Sequence, residues 1–182
     1  MKQGVRALGI AESYRGESST LAGVACRASR IIDGFVFGSC TVGGTDATTA
    51  LIELWNRLDR EDVHYVLIAG IAPAWYNVVD LSELQETIDR PVLSVSFEES
   101  EGLESAIEAA FDGEAADQRL DIYRSLPERE AVTVNGERLY VRSVGLDGDT
   151  ADVVRAFTPK GGRPEPVRVA RLAARAADQQ PG

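Results

Sequence analysis

Residues 31–58, IIDGFVFGSCTVGGTDATTALIELWNRL, change their hydrophobic period halfway along, and that change decides the fold. As far as Cys40 the run is rich in β-branched and aromatic residues. Gly34 and Gly38 inside it suit a bulge or a close backbone approach, not a helix. After the turn Gly43-Gly44-Thr45-Asp46, the residues Leu51, Ile52, Leu54, Trp55 and Leu58 recur at helical spacing, and the turn ends in helix-capping side chains. On the N-terminal side lie two more apolar runs, 5–10 (VRALGI) and 20–26 (TLAGVAC), and the short link 27–30 joins the second to the run 31–40. Three such runs with short connections predict an antiparallel meander. On the C-terminal side Arg60-Glu61-Asp62 ends the helix, and 63–69 (VHYVLIA) reads as a strand buried on both faces. A short helix over 81–88, a buried strand over 91–97 (PVLSVSF) and an amphipathic helix over 103–111 follow.

Helices alternating with apolar strands imply parallel pairing through right-handed crossovers. A doubly wound sheet would alternate from its first strand. A meander followed by βαβ-like units is instead the ribonuclease-H-like order: an α/β mixed sheet of three antiparallel strands and then parallel ones, flanked by helices. The remaining chain predicts accessory C-terminal elements. These are a helix over 119–125, a hairpin of 131–134 and 138–144 around Asn135-Gly136, and a helix over 150–157 capped by Asp149 or Thr150. A terminal helix over 164–177 tolerates Pro166 in its first turn. One domain over 1–177 and a flexible tail over 178–182 complete the expectation.

At 182 residues with 44% hydrophobic residues, the chain is long enough for one real core. Its start is too short in apolar residues for a signal peptide, and no apolar run approaches the roughly 20 residues of a membrane span, so a cytoplasmic protein is expected. Cys26 and Cys40 fall in apolar runs and read as buried free thiols. With one histidine, His64, no zinc-like spacing exists. There are 29 acidic residues against 19 basic ones, and Lys2 and Lys160 are the two lysines. The formal charge of -10 and the lack of lysine point to adaptation to high intracellular salt, an ordinary acidic protein being the alternative. The composition argues against the broad basic field of a nonspecific nucleic-acid binder.

Ligands of α/β sheets gather at the carboxyl ends of parallel strands. There the sequence places Glu12 after the first strand, Asp46 at the first helix, and Gly70 after the fourth strand. Glu12 and Asp46 are the candidate metal ligands, for Mg²⁺, with Asp80 as an auxiliary acid. The neighbouring positions that would complete a two-metal clamp hold Ala11 and Ala69. Each acid has a plainer role open to it: a solvated loop residue at Glu12, a helix cap at Asp46 and at Asp80. Gly43-Gly44 before a helix start fits a phosphate cradle or a plain turn. Trp75 and Tyr76 fit a base-stacking pair or a hydrophobic plug. Arg163 and Arg168 fit phosphate contacts or ion pairs with Glu165 or another acid.

Taken together, several short motifs resemble an archaeal domain family, number ninety-nine among the domains of unknown function, that is related to endonuclease V. They are Leu8-Gly9-Ile10, Asp33-Gly34, Gly44-Thr45-Asp46-Ala47-Thr48, Gly70-Ile71, Asn77-Val78-Val79-Asp80, Pro91-Val92 and Arg163-Pro164-Glu165-Pro166-Val167-Arg168. The resemblance runs from Gly4 to about Ala174 and implies a ribonuclease-H-like fold and a nuclease ancestry. Where that family carries an Asp-Asp pair, an Asp before the glycine, and often a histidine in the last helix, this chain has Ala11-Glu12, Ala69 and Arg171. Asp46 matches the family's acid at the first helix.

Three readings follow from these residues. One is metal-dependent hydrolysis of damaged or deaminated DNA or RNA through Glu12, Asp46 and Asp80. Another is a noncatalytic descendant that binds nucleic acid or a protein through the same cleft, with Trp75, Tyr76, Arg163 and Arg168 as contacts. A third, a nucleotide pocket, rests on the Gly43-Gly44 turn alone.

Overall fold

The computed structural model describes residues 1–181. Three antiparallel strands come first: β1 (Arg6–Tyr14), β2 (Ser18–Arg27) and β3 (Ile32–Thr41). Then follow α1 (Ala47–Leu58), β4 (Val63–Ala69), the single turn α2 (Pro73–Tyr76), α3 (Leu81–Ile88) and β5 (Val92–Ser96). The last third holds α4 (Glu104–Ala110), α5 (Gly113–Ser125), β6 (Glu130–Val134), β7 (Glu137–Val144), α6 (Thr150–Ala156) and α7 (Glu165–Asp178). The strands form one seven-stranded sheet in the order β3-β2-β1-β4-β5-β7-β6, with β1/β4 and β4/β5 parallel and the other pairs antiparallel.

The meander, the helix over 47–58 and the strand over 63–69 stand where the hydrophobic period placed them. Two expectations need correcting. The hairpin is not set apart: β7 pairs with β5 through Val92↔Val144 to Ser96↔Tyr140 and extends the main sheet. The last helix, α7, expected as an accessory, lies across β1 and β2 of the sheet. It also continues through Asp178, which accepts a bond from the Ser13 hydroxyl at 3.3 Å, so that residue belongs to the helix and not to a tail. Of the tail expected over 178–182, Gly182 lies outside the described residues.

Alternation along the central strands builds two cores. Leu8, Ile10, Val66 and Ile68 face Leu51, Leu54, Leu81 and Leu84 of α1 and α3. Ala7, Leu67, Leu93 and Val95 face Val153, Val154, Phe157 and Val167 from α6 and α7. Gly9 is required where α7 crosses β1: a Cβ there would stand 2.2 Å from the carbonyl carbon of Pro166. The hairpin turn is the type the Asn-Gly pair specifies, with φ of 51° at Asn135 and 79° at Gly136. Both cysteines are free and buried, His64 is exposed, and no helix among the described residues is long and apolar enough to cross a membrane.

Candidate nucleic-acid interface

The carboxyl ends of β1, β4 and β5 open onto a cavity of about 330 Å³. Its wall includes Glu12, Gly70, Ser94, Ser96, Tyr140 and Arg142. β1 runs past the apolar stretch to Tyr14 because β2 continues to pair with it, Glu12 opposite Leu21 and Ser13 opposite Thr20. Alternation then sends Glu12 to the same side as Leu8 and Ile10, while Ala11 packs with Val24 and Ala170 under α7. Ser94 donates to the Gly70 carbonyl at 2.7 Å and Ser96 to that of Tyr140 at 3.3 Å, so the floor is held by its own hydroxyls. Arg129 lies 4.6 Å over the Tyr140 ring and donates to the Glu98 and Ser100 carbonyls. Arg142 donates to the Pro127 carbonyl and lies 5.4 Å from the Tyr123 ring centre.

Each of the two expected ligands is bonded to a neighbour of Cys40: Glu12 to Ser19 and Asp46 to Thr41. The fully buried Ser19 hydroxyl donates to Glu12, and Ser19 pairs across the sheet with Cys40. Burial, followed by the charges of Asp46 and Glu12, pushes the Cys40 thiol up to about 12, so both carboxylates act on one atom. Asp46 does not cap α1 with its side chain. It accepts instead from the Thr41 N–H at 3.0 Å, the Thr41 hydroxyl at 2.9 Å and the Asn77 amide at 2.8 Å. Desolvation pushes its carboxyl up, but these donors outweigh that and hold it below the ordinary carboxylate range. Asn77, fully buried, also accepts from Ala47 N–H at 2.9 Å and donates to the Thr41 carbonyl at 2.9 Å. Asp80 caps α3 by accepting from the Glu83 N–H at 3.1 Å, and it does not line the cavity.

Glu12 and Asp46 are joined by no third metal-ligating side chain among the described residues. A two-metal clamp needs several acidic oxygens converging on one point. Here the space of about 10 Å³ at Glu12 is otherwise walled by Ile10, Leu21, Leu51, Ile68 and Pro73 with Ala11 and Ala69, and Asp46 already accepts three donors. Among the described residues no three His, Cys, Asp or Glu side chains group as metal ligands.

The aromatic pair lies on the neighbouring turn. Ala74, Trp75 and Tyr76 take φ of 51°, 56° and 60°, left-handed conformations that cost an L-residue roughly 1–2 kcal/mol each. Trp75 is 48% exposed, and its ring centre is 5.5 Å from that of Tyr76 and 5.2 Å from that of Phe111. The turn packs on Gly43, whose N–H donates to the Ala74 carbonyl at 2.6 Å; the Gly44 N–H goes to the Thr41 carbonyl. The buried Arg119 donates to both the Gly43 and Gly44 carbonyls and lies 3.8 Å from the Phe111 ring centre. With both N–H groups spent inside the fold, the Gly43-Gly44 turn is a structural turn, not a phosphate cradle.

Arg163 lies 4.3 Å over the Phe97 ring, and Arg168 grips Glu165 with two bonds of 2.8 and 2.7 Å. Sequence reasoning missed Arg129, Tyr140 and Arg142, which reach the cavity through β7 and the loop before β6. The alternation of Leu139 and Val141 inward with Tyr140 and Arg142 on the other face was the available signal.

Comparison with known proteins agrees with this geometry. The model of a family described as endonuclease dU matches residues 3–178. A UPF0215 protein of Pyrobaculum calidifontis is 35% identical over 173 residues, covering 92% of this chain and 93% of that protein. The crystal structure of a protein of unknown function from Archaeoglobus fulgidus superposes with a TM-score of 0.85 at 26% identity, over 96% of this chain and 99% of that one. Endonuclease V of Ciona intestinalis, solved with a DNA containing inosine, superposes with a TM-score of 0.57 at 13% identity, over 94% and 84% of the two chains. The last likeness is one of fold: the sheet is ribonuclease-H-like.

Proposed function

The chain belongs to the endonuclease dU family, and from that premise we propose that it binds nucleic acid at the rim of its central strands and holds a base there without a two-metal cutting centre. One observation carries the reading. At the strand ends Glu12 is the one carboxylate of the cavity wall from β1 or β4, Ala11 being turned to the α7 side and β4 ending in Ala69, while the cavity itself is open and lined by hydroxyls, rings and guanidinium groups. An apolar strand end cannot gather divalent cations, yet a polar, ring-lined cavity retains what a base needs: edges to hydrogen-bond and a face to stack on. Trp75 and Tyr76 do not line the cavity; they follow its wall residue Pro73 on a turn with left-handed backbone, and the half-exposed Trp75 is the proposed stacking face for a neighbouring base. Arg163 and Arg168 are the proposed backbone contacts.

The place of the Glu12 carboxylate in the cavity wall favours a second reading, in which Glu12 and Asp46 hold a single Mg²⁺ with water and substrate oxygens, with Asp80 as an accessory acid. One experiment separates the two. Oligonucleotides carrying uracil or inosine are incubated with the protein and Mg²⁺ or Mn²⁺, and binding is followed by fluorescence anisotropy alongside cleavage on denaturing gels. Binding without product, weakened about 5- to 150-fold by Trp75→Ala, is the expected outcome. Product formation that disappears in Asp46→Ala overturns it in favour of the second reading. Absence of any binding removes both.

A further inference from the structure

α7 carries a charge pattern that neither its packing nor the cavity explains. Its buried side is Val167, Ala170 and Ala174; its outer side presents Arg168, Arg171, Leu172 and Arg175, all exposed. Arg171 and Arg175 make no ion pair or hydrogen bond among the described residues, and the partner of Arg168 is Glu165. Like charges three and four residues apart on a helix repel and destabilise it. In a chain with 29 acidic residues, opposing carboxylates are abundant, yet the two on this helix are engaged elsewhere than with Arg171 or Arg175: Glu165 with Arg168, and Asp178 with Arg15 and Ser13.

The strip is also the wall of a groove. Arg163, Arg168, Arg171 and Arg175 line about 270 Å³ together with Leu172 and Ala69. Arg163 and Arg168 continue into an adjoining space of about 420 Å³ with Arg138 and Lys160, where Glu137 is the one acid in the lining. Six of the chain's 19 basic side chains thus follow one track. Ala69 lines this groove and the base-sized cavity alike, so the two meet at the tip of β4.

We propose that this track is a metal-independent phosphodiester site, in which the guanidinium groups of Arg171 and Arg175, with Arg163 and Arg168, hold the backbone of a single nucleic-acid strand. The inference rests on the functional reading above and adds where the strand runs: a base enters the cavity on one face of the sheet, and its flanking phosphates cross the tip of β4 onto α7. Arginine's planar fork suits phosphate oxygens, and it supplies at Ala69 the positive charge that carboxylate-bound cations would otherwise bring. From Arg168 to Arg175 the helix rises about 10 Å, enough for successive phosphates of one strand to meet successive guanidinium groups. Leu172 gives the sugars an apolar contact between them.

Titrations of a fluorescein-labelled single-stranded oligonucleotide at several salt concentrations test this. The wild type is compared with Arg171→Ala/Arg175→Ala and with Arg57→Ala/Arg155→Ala, which removes equal charge from other surfaces. The groove variant is expected to bind at least tenfold more weakly. Its plot of log affinity against log salt should also be shallower by about 1.4, the contribution of two single-strand phosphate contacts. Arg171→Lys/Arg175→Lys should restore the slope. If the groove variant keeps wild-type affinity and slope, the site is wrong and the functional reading stands. If the control variant loses as much, the effect is general charge and the site is equally wrong. If the wild type itself does not bind, both fall together.

Discussion

The turn around Asp46 and the outer face of α7 are opposites. At Asp46 one carboxylate takes three hydrogen bonds, from a backbone N–H, a hydroxyl and a buried amide, and that amide in turn fixes the start of α1 and the end of β3. On α7 two guanidinium groups, with ten N–H donors between them, have no partner within the described chain. Side chains that build a fold spend their bonding capacity inside it, because an unpaired buried polar group costs the full price of its desolvation. Capacity left open at the surface, against local repulsion, is capacity for something else. By that standard Asp46 serves structure first, and the outer face of α7 is where the proposed strand contact is to be sought.

The comparison is broken most severely by moving α7 itself. Gly9→Ala places a methyl group 2.2 Å from the Pro166 carbonyl carbon, which is backbone and cannot rotate aside, so the helix must shift off β1. A loss of about 3 kcal/mol or more is expected in urea unfolding, at the upper end of overpacking costs. Oligonucleotide affinity should fall with it, because the groove shares that helix. A variant as stable as wild type would show that α7 does not bear on β1 as described.

Asn77→Ala attacks the other region. It strands the Ala47 N–H and the Thr41 carbonyl and removes one of the three donors to Asp46. With a buried unpaired group costing about 1–3 kcal/mol, a total near 3 kcal/mol is expected, somewhat below the helix displacement. Native-state hydrogen exchange should localise the loosening to the first turn of α1. A change spread evenly over the sheet, or none, would mean that Asn77 is not the clamp between β3 and α1.

How these regions read in the sequence differs for a physical reason. The helix over 47–58 and the strand over 63–69 were legible to the residue, because their apolar period is set by a core that each touches along its whole length. β1 was read short at Ile10, since Glu12 and Ser13 look like loop residues until their partners on β2 are known. The Asn135-Gly136 turn was legible and its hairpin with it. Pairing of that hairpin with β5 was not, being a contact between segments about 45 residues apart that leaves no local period. Arg142 and Tyr140 were lost with it. The left-handed run Ala74-Trp75-Tyr76 had no glycine to announce it. Asp46 was picked out as an acid at a helix start, but its bonds to Thr41 and Asn77 depend on a turn geometry that spacing alone does not show.

The smallest expected effect is also the one that tests whether Asp46 is the structural member of the pair. Its carboxyl is held below its ordinary value in the folded protein, since the hydrogen bonds from Thr41 and Asn77 favour the charged form against desolvation. The unfolded chain, with a carboxyl near 3.9, therefore takes up the proton first as pH falls. Stability contributed by Asp46 is complete above about pH 5 and is lost as the pH drops through the unfolded and then the lower, folded value. Asp46→Asn has no such proton to gain. The difference in unfolding free energy between wild type and variant should hold level from pH 7 to 5 and shrink below pH 4. Asp33, Asp62 and Glu165 are lowered by their arginines too, but they titrate in both proteins and cancel in that difference. Solvent on the exposed side of Asp46 keeps the change modest. A gap that stays constant to pH 3 would mean that the carboxylate is not bonded as charged groups are, leaving it free for the role the second functional reading gives it.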